Sequence, residues 1–422
     1  MKYFKTDGIR GILGEDLSYS LIIKIANSLS LFKIKKVYIG YDTRCTASVI
    51  KKLLALGINK NIEVFDIGIA PTPAIMYLSK LNNSIGIAIT ASHNPYYYNG
   101  IKLIIRGMKP NNEQINKITN YIDNNKPIIY YNDLISYDFE KTYVNYLSNY
   151  KTKSNLKAII DSANGALYKI TKYIFDDVFD SVKYINCTPN GININDRCGA
   201  VALDNLKQSV KNLDYDIGIA FDGDGDRIII VDKYGNTLNG DIIALILAKY
   251  FKSMNCIDSV CLTIMADLGI IKEFKKLGIR VYQSDVGDTF LLNTMLDNNI
   301  ILGSEASGHI IPLLYTNIGD GILNALLFIK AINTLNIDVN EIYNSTESFY
   351  TKTINIPIFS GYDLNMFSDI ENKYLKIYHD NFKLIFRKSG TEKLLRLTIS
   401  IGDKNVLENV IEECLNKIKI AI

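Results

Sequence analysis

The stretch Ile217-Gly-Ile-Ala-Phe-Asp222-Gly-Asp224-Gly-Asp226-Arg227-Ile-Ile-Ile-Val231 sets three carboxylates on alternate positions between two apolar runs. Ile217–Phe221, five residues without a polar side chain, reads as a strand buried on both faces in a parallel sheet. Carboxylates this close raise each other's pKa. The interleaved glycines let the backbone curl until all three face one point, and a hard divalent cation such as Mg²⁺ resolves the repulsion. The C-terminal end of a parallel strand is also where α/β sheets bind ligands. An EF-hand starts similarly but needs Gly at loop position 6 and Glu at position 12, where this chain has Arg227 and Lys233. A calcium sensor is therefore excluded, and a solvated acidic turn is the remaining alternative.

Outward from this stretch, short β-branched runs alternate with longer amphipathic segments. Strands are expected at Val37–Tyr41, Glu63–Ile67, Ile85–Ile89, Ala158–Ile160, Val182–Ile185, Ile228–Val231, Cys261–Ile264 and Arg280–Gln283. Helices are expected between them, for example over Ser20–Phe32, Asp241–Phe251, Leu268–Leu277 and Gly321–Ile332. Such alternation argues for sheets covered by helices on both faces. Polar breaks near Lys151–Asn155, Ser253–Asp258 and Glu347–Thr353 divide the chain. In the tail, Phe382–Phe386 and Leu394–Ser400 flank a turn and Asn405–Ile420 reads as one helix, an α+β pattern. The expected fold is three consecutive α/β domains with mixed or parallel sheets (1–152, 153–253 and 254–352), followed by an α+β domain over 353–422.

The composition excludes several function classes. At 422 residues and 47.5 kDa the chain is too long for one ordinary core. Its 48% hydrophobic and 22% charged residues are those of an ordinary globular protein. A net charge of +3 makes no field that would steer nucleic acid to it. Six cysteines without a C-x-x-C pair read as reduced thiols of a cytoplasmic protein. No apolar run approaches the length of a membrane span, and the first residues carry no apolar signal segment, so neither membrane nor export is expected.

Four further segments carry polar chemistry. Thr90-Ala-Ser92-His93-Asn94-Pro95 follows the expected strand Ile85–Ile89, but it lacks the glycines of a hydrolase elbow. Neighbouring Ser92 and His93 are also poorly disposed to act as nucleophile and base. Gly303-Ser-Glu305-Ala-Ser307-Gly308-His309 alternates Glu, Ser and His on a loop bounded by glycine, which suits hydrogen bonding to hydroxyls of a polar ligand, or a helix-capping turn with an exposed His. Arg387-Lys388-Ser389-Gly390-Thr391-Glu392, with Arg396 close behind, suits a phosphate cradle without Walker spacing, or a basic surface hairpin. Thr6-Asp7-Gly8-Ile9-Arg10-Gly11 places an early arginine between glycines.

Taken together and in order, these five segments resemble the α-D-phosphohexomutase superfamily over essentially the whole chain. Within it the likeness is greatest to the family of bacterial phosphoglucosamine mutases. It rests on Ala91-Ser-His-Asn-Pro-Tyr-Tyr-Tyr-Asn-Gly-Ile-Lys102, Asp161-Ser-Ala-Asn-Gly165, Pro189-Asn-Gly-Ile-Asn-Ile-Asn195 and Asp285-Val-Gly-Asp288. The resemblance implies four domains around a central cleft, one loop from each, and an intramolecular phosphotransferase moving phosphate between the 6- and 1-positions of glucosamine. Such an enzyme feeds UDP-N-acetylglucosamine and cell-wall synthesis; a phosphomannomutase/phosphoglucomutase of broader range is the alternative. It further implies that Ser92 carries the phosphoryl group and, with Asp222, Asp224 and Asp226, holds one Mg²⁺. Arg10, Lys102 and His93 would assist catalysis. Arg227, Asp288, Glu305, Ser307 and His309 would meet the sugar, and Arg387, Ser389, Gly390, Thr391 and Arg396 its distal phosphate. A sugar 1,6-bisphosphate would serve as intermediate and activator, and the enzyme would be a monomer or homodimer.

This chain departs from the family at Lys5, usually Gly, and at Lys388 and Lys393, where prolines are common. Two other classes compete with the mutase. A catalytically silent sugar-phosphate binder is disfavoured by the intact Ser92 and aspartates. A phosphatase with an aspartate nucleophile would not need Ser92.

Overall fold

The computed structural model describes residues 2–5, 7–347, 349–358, 362–388 and 394–421. Among them are four sheets, of six, five, four and three strands. In spatial order the first sheet runs Ile9–Ile12, Tyr98–Ile105, Ile85–Ile89, Lys36–Tyr41, Glu63–Ile69 and Leu134–Ser136. The second runs Thr237–Leu238, Ile228–Asp232, Ile217–Phe221, Ser154–Asp161 and Phe179–Ile185. The third runs Arg280–Ser284, Ser259–Thr263, Leu302–Ser304 and Ile310–Pro312, and the fourth Tyr350–Pro357, Leu394–Ile401 and Phe382–Lys388.

The first three sheets are mixed. Their central strands are parallel, and in each one a strand folds straight back on the strand before it. Ile85–Ile89 returns as Tyr98–Ile105, Ile217–Phe221 as Ile228–Asp232, and Leu302–Ser304 as Ile310–Pro312. The fourth sheet is antiparallel throughout, with Phe382–Lys388 returning as Leu394–Ile401. A parallel crossover takes a dozen or more residues, whereas a short loop can only turn the chain back on itself. The turns 90–97, 222–227 and 305–309 are therefore hairpin loops, and they are three of the five chemistry-bearing segments of the sequence; the segment 389–393 falls between Phe382–Lys388 and Leu394–Ile401. Residues 389–393 themselves lie outside the described residues.

One apolar cluster joins the first three sheets. It includes Ile75 and Leu78, Phe175 and Phe221, and the helices Gly240–Ser253 and Gly321–Leu335. Gly321–Leu335 is apolar nearly all round and accordingly buried on most of its surface. Asp320 caps it by accepting from Leu323 N at 3.0 Å, and its other oxygen accepts from the Tyr143 hydroxyl at 2.8 Å. The fourth sheet has a cluster of its own, with Phe367, Leu395, Leu397 and Val410 at its centre.

The polar break Ser253–Asp258 is a mostly exposed turn that follows helix Gly240–Ser253. Helix Gly240–Ser253 packs on Gly321–Leu335 and on strand Leu302–Ser304, so it lies with the third sheet although the sequence reading ends the second unit at 253. The break at Glu347–Thr353 runs into the exposed edge strand Tyr350–Pro357, whose polar residues face solvent.

Candidate active site

Each of the first two hairpin loops starts at the C-terminal end of a strand in the parallel part of its sheet, and there they meet. Ser92 Oγ donates to Asp222 Oδ2 at 2.6 Å. Ser92 is 1% exposed and has φ +53°, a left-handed backbone that costs a non-glycine residue about 1–3 kcal/mol. Gly223 permits the close approach of the loops, because a Cβ there would lie 2.6 Å from the Ser92 carbonyl oxygen. The left-handed turn also brings His93 Nδ1 to 3.4 Å from Ser92 Oγ. The sequence reading has that neighbouring pair poorly disposed to act as nucleophile and base; in the structure the two atoms lie within reach of each other.

Asp222, Asp224 and Asp226 are each 4% exposed or less and offer oxygens that all lie within 4.8 Å of one another. Burial, then Asp226 and Asp224, push the Asp222 carboxyl well above the usual carboxylate range. Asp226 is also buried, but Lys102 and His309 outweigh that and hold it well below. Asp224 Oδ1 and Asp226 Oδ1 are buried without a hydrogen-bond partner. An all-oxygen, carboxylate-rich set with two orphaned acceptors fits a hard divalent cation.

Lys102, on Tyr98–Ile105, is 3% exposed and lies 2.8 Å from Asp7, 2.8 Å from Asp224 and 2.9 Å from Asp226. Burial alone would lower its pKa, but Asp224, Asp226 and Asp7 raise it well above the normal lysine value, so it stands as a fixed cation. Arg10, on Ile9–Ile12, is held by Asp7 at 2.5 Å and reaches the Ala91 carbonyl at 3.4 Å, next to Ser92. His93 is pushed down to about 3 by burial and by Arg227 and Arg10, and is neutral at physiological pH.

The third hairpin loop packs beside the second, with Ile228 N donating to Gly308 O at 3.0 Å. Ser307 is exposed, whereas Glu305 and His309 are buried. Glu305 Oε1 accepts from Gly287 N at 2.9 Å, ahead of Asp288. His309 is 2% exposed, with its ring nitrogens 3.7 Å from Asp226 and 3.9 Å from Asp288. It thus sits between two carboxylates, although the sequence reading aims it at the sugar. Arg227 is partly buried, 3.9 Å from Asp226.

Arg387 and Arg396 face each other across strands Phe382–Lys388 and Leu394–Ile401, and burial, then Arg396, lower the Arg387 pKa against the opposing pull of Asp285 in the third unit. Ser389, Gly390 and Thr391 lie outside the described residues.

Sequence reasoning missed five members of this neighbourhood. Asp7 and Lys109 bridge to Lys102 and Asp288: Lys109 pairs with Asp7 at 2.8 Å and also with Asp288. Thr72 donates to Asp224 at 2.5 Å. Arg44 and Asn195 hold the serine loop from outside. Arg44 and Thr72 follow the parallel strands Lys36–Tyr41 and Glu63–Ile69 at their C-terminal ends, and that placement was the available signal.

Models of the phosphoglucomutase/phosphomannomutase alpha/beta/alpha domains I, II and III match residues 1–128, 138–235 and 239–349. A phosphoglucosamine mutase of Fusobacterium nucleatum is 34% identical over 451 residues, covering 99% of each chain. One from Buchnera aphidicola is 33% identical over 444 residues, covering 99% of this chain and 98% of its own. Among solved structures, a phosphoglucomutase/phosphomannomutase family protein from Burkholderia thailandensis shares the fold with a TM-score of 0.84 at 19% identity, over 99% of this chain and 97% of the other. An N-acetylphosphoglucosamine mutase of Aspergillus fumigatus, solved with GlcNAc-6P and magnesium, shares it at 0.64 and 16% identity, over 99% and 96%. With full-length relatives of this identity and matching domains in the same order, the chain belongs to the α-D-phosphohexomutase superfamily and, within it, to the phosphoglucosamine mutases.

Proposed function

We propose that this enzyme interconverts glucosamine 6-phosphate and glucosamine 1-phosphate, with Ser92 as the phosphoryl carrier. The observation that carries the reading is the Ser92–Asp222 contact, in which a buried hydroxyl stands against the acidic loop. In the first half-reaction the phosphorus–Oγ bond of phosphorylated Ser92 breaks as a bond forms to the sugar O1; O1 gives up its proton and Ser92 Oγ takes one, giving the 1,6-bisphosphate and a free hydroxyl. The bisphosphate turns over in the cleft. Ser92 Oγ then loses its proton and takes the 6-phosphoryl group as the phosphorus–O6 bond breaks, O6 takes up a proton, and glucosamine 1-phosphate leaves. Asp222 at 2.6 Å and His93 at 3.4 Å are the acceptors within reach of the Ser92 proton.

Ser92, Asp222, Asp224 and Asp226 are the residues we assign to one Mg²⁺. Bound there, the ion offsets charge on the phosphoryl oxygens. Lys102 and Arg10 add fixed positive charge on the same side, where preorganised electrostatics contribute most. Ser307 is exposed to meet a sugar hydroxyl, while Asp288, Glu305 and His309 set the shape of that pocket from beneath. Arg387, Arg396 and the segment 389–391 are assigned to the phosphate that is not being transferred, and Arg227 to the one that is. We take the enzyme to act in the cytoplasm on small sugar phosphates, as a monomer or homodimer, upstream of UDP-N-acetylglucosamine. No single helix among the described residues is long and apolar enough to cross a membrane.

The test is ³¹P NMR of the protein with Mg²⁺ and a trace of sugar 1,6-bisphosphate, offering glucosamine, glucose and mannose 6-phosphates separately. The 1-phosphate signal should grow much faster from the amino sugar. Comparable rates on glucose or mannose would assign the broader range, and release of inorganic phosphate alone would overturn the mutase reading.

A further inference from the structure

The strained backbone of Ser92 is held by groups that do not face the cleft. Arg44 is 3% exposed and pairs with Asp42, itself 1% exposed, through Nε at 2.9 Å. Its Nη2 donates to the carbonyls of Ser92 at 3.0 Å and Asn94 at 2.9 Å. Its Nη1 donates to the carbonyl of Tyr98 at 2.9 Å and to that of Pro95. A guanidinium has five N–H donors, and here all five are engaged. Four of them end on main-chain oxygens between Ser92 and Tyr98, three in the loop that carries Ser92 and one on the first residue of the strand after it.

Two neighbours complete the frame. Asn195, from the second unit, donates through Nδ2 to the Ser92 carbonyl at 2.8 Å and to that of Asn94 at 3.1 Å. Thr90 Oγ1 donates to Asp42 Oδ2 at 2.7 Å and accepts from Ser92 N at 2.9 Å. The Ser92 peptide is thereby fixed on both sides: its N–H through Thr90 to Asp42, its carbonyl by Arg44 and Asn195. Turning that peptide would carry Oγ away from Asp222.

We propose that Arg44 is a positioning residue of the phosphohexomutase reaction, holding Ser92 Oγ at one place in both half-reactions by binding the carbonyls of the serine loop. The proposal rests on the function assigned above. Ser92 must present the same atom with and without its phosphoryl group, while the sugar between leaves its place and turns. A loop held by its cleft ligands would relax at each of those stages. A loop held from behind by a planar five-donor fork does not, and lysine, a point charge with three donors, cannot reproduce the arrangement.

The test uses the full chain with Arg44→Lys, which keeps a charge against Asp42, and Asn195→Gly, which keeps the left-handed backbone at φ +58° and removes the side-chain donors. Misplacement of reacting atoms by an ångström costs about a hundredfold, so kcat for glucosamine 6-phosphate should fall about 100-fold in Arg44→Lys and about tenfold in Asn195→Gly, with KM within about threefold. Amide exchange in peptides covering 91–99 should rise about tenfold or more while the other strands of the sheet keep their protection. A purely structural role predicts exchange rising across the sheet and no separation of kcat from KM. The proposal is overturned by kcat near that of the parent, by a loss carried by KM, or by unchanged exchange in the loop. Should Arg44→Lys fail to fold, Asn195→Gly decides by the same readouts. A parent chain inactive on every sugar phosphate overturns the assigned function and the catalytic half of this proposal, and the exchange measurement still decides whether Arg44 holds the loop.

Discussion

Ser92 Oγ donates a 2.6 Å hydrogen bond to Asp222 Oδ2 although 130 residues and two different sheets separate the two side chains. The contact exists because both sheets turn their chain back at the same kind of place, just beyond a buried parallel strand. Ile85–Ile89 and Ile217–Phe221 are buried at every position, so neither loop can shift along its strand without dragging apolar side chains out of the core. The Ser92–Asp222 distance is therefore set by two packed sheets rather than by the loops themselves.

Ser92→Ala removes the hydroxyl proposed as the phosphoryl carrier and should abolish the mutase, with 1-phosphate formation down by a factor of about 10⁴ or more relative to the parent. Alanine at a left-handed position adds about 1 kcal/mol of strain at most, so Tm should move by only a few degrees. ³¹P NMR reads the first quantity and calorimetry the second. A variant that still releases phosphate from sugar phosphates would point to an aspartate nucleophile instead.

Chelation should expose how much the acidic cluster depends on a cation. Without one, Lys102 is the cation that lies against Asp224 and Asp226 together, and Lys102→Met leaves buried carboxylates uncompensated, a loss of about 3–5 kcal/mol. A ligand at a hundredfold excess over its Kd stabilises by about 2.7 kcal/mol. Mg²⁺ should accordingly raise Tm in the parent, more so in Lys102→Met, and least in Asp224→Asn. Melting curves in EDTA and in Mg²⁺ check the order; a Tm indifferent to Mg²⁺ in all three would remove the metal from Asp222, Asp224 and Asp226.

Much of this arrangement was legible in the sequence. The strands Ile85–Ile89 and Ile217–Phe221 were read with their observed limits, because fully buried parallel strands are continuous apolar runs bounded by turns. Tyr98–Ile105 was not read as a strand. Its first five residues, Tyr98–Lys102, lie within the segment that matches the serine loop of the family, and Tyr-Asn-Gly at its start has turn character. The short strands Leu302–Ser304 and Ile310–Pro312 hold too few residues to show a period. Arg44 was invisible for another reason, and Asn195, which closes the quoted Pro189–Asn195 segment, was given no role for the same one: their partners are main-chain carbonyls, which every residue has. The motif of His309 was evident, but its burial between Asp226 and Asp288 depends on how two sheets meet.

Asp241 gives a pH dependence that can be isolated. It is fully buried, accepts from Ser304 Oγ at 2.7 Å through one oxygen and has no hydrogen-bond partner for the other. Burial pushes its carboxyl up to about 6. A carboxyl raised in the folded state binds its proton more tightly there than in the unfolded chain, so its stabilising effect is complete below the ordinary value near 3.8 and fades as pH rises through about 6. The full difference is about 3 kcal/mol. Asp241→Asn has no proton to lose. Its stability relative to the parent should therefore improve between pH 4 and pH 7, by about that amount. Urea unfolding of both proteins across this range checks it, and parallel curves would show that Asp241 does not titrate there.

The fourth sheet should close on its ligand. Its apolar cluster is separate from the one that unites the other three. What joins it to them includes polar contacts: Lys383 Nζ donates to the carbonyls of Ile264, at 3.2 Å, and Ala266, and Lys275 pairs with Asp380 at 2.6 Å on the surface. Such contacts hold a domain in place weakly enough for it to swing. Arg387 and Arg396 ride on this sheet, and a phosphate bound by them and by the central cleft at once would draw it inward. Small-angle scattering of Ser92→Ala, which cannot turn over its ligand, should show a smaller radius of gyration with Mg²⁺ and glucose 1,6-bisphosphate than with Mg²⁺ alone. Arg387→Ala should cancel the compaction and raise KM in the Ser92 enzyme by about tenfold or more, as expected for a lost charge-assisted hydrogen bond. Identical scattering with and without bisphosphate would mean that the cleft is already closed, and the two arginines would then have to bind phosphate where they stand.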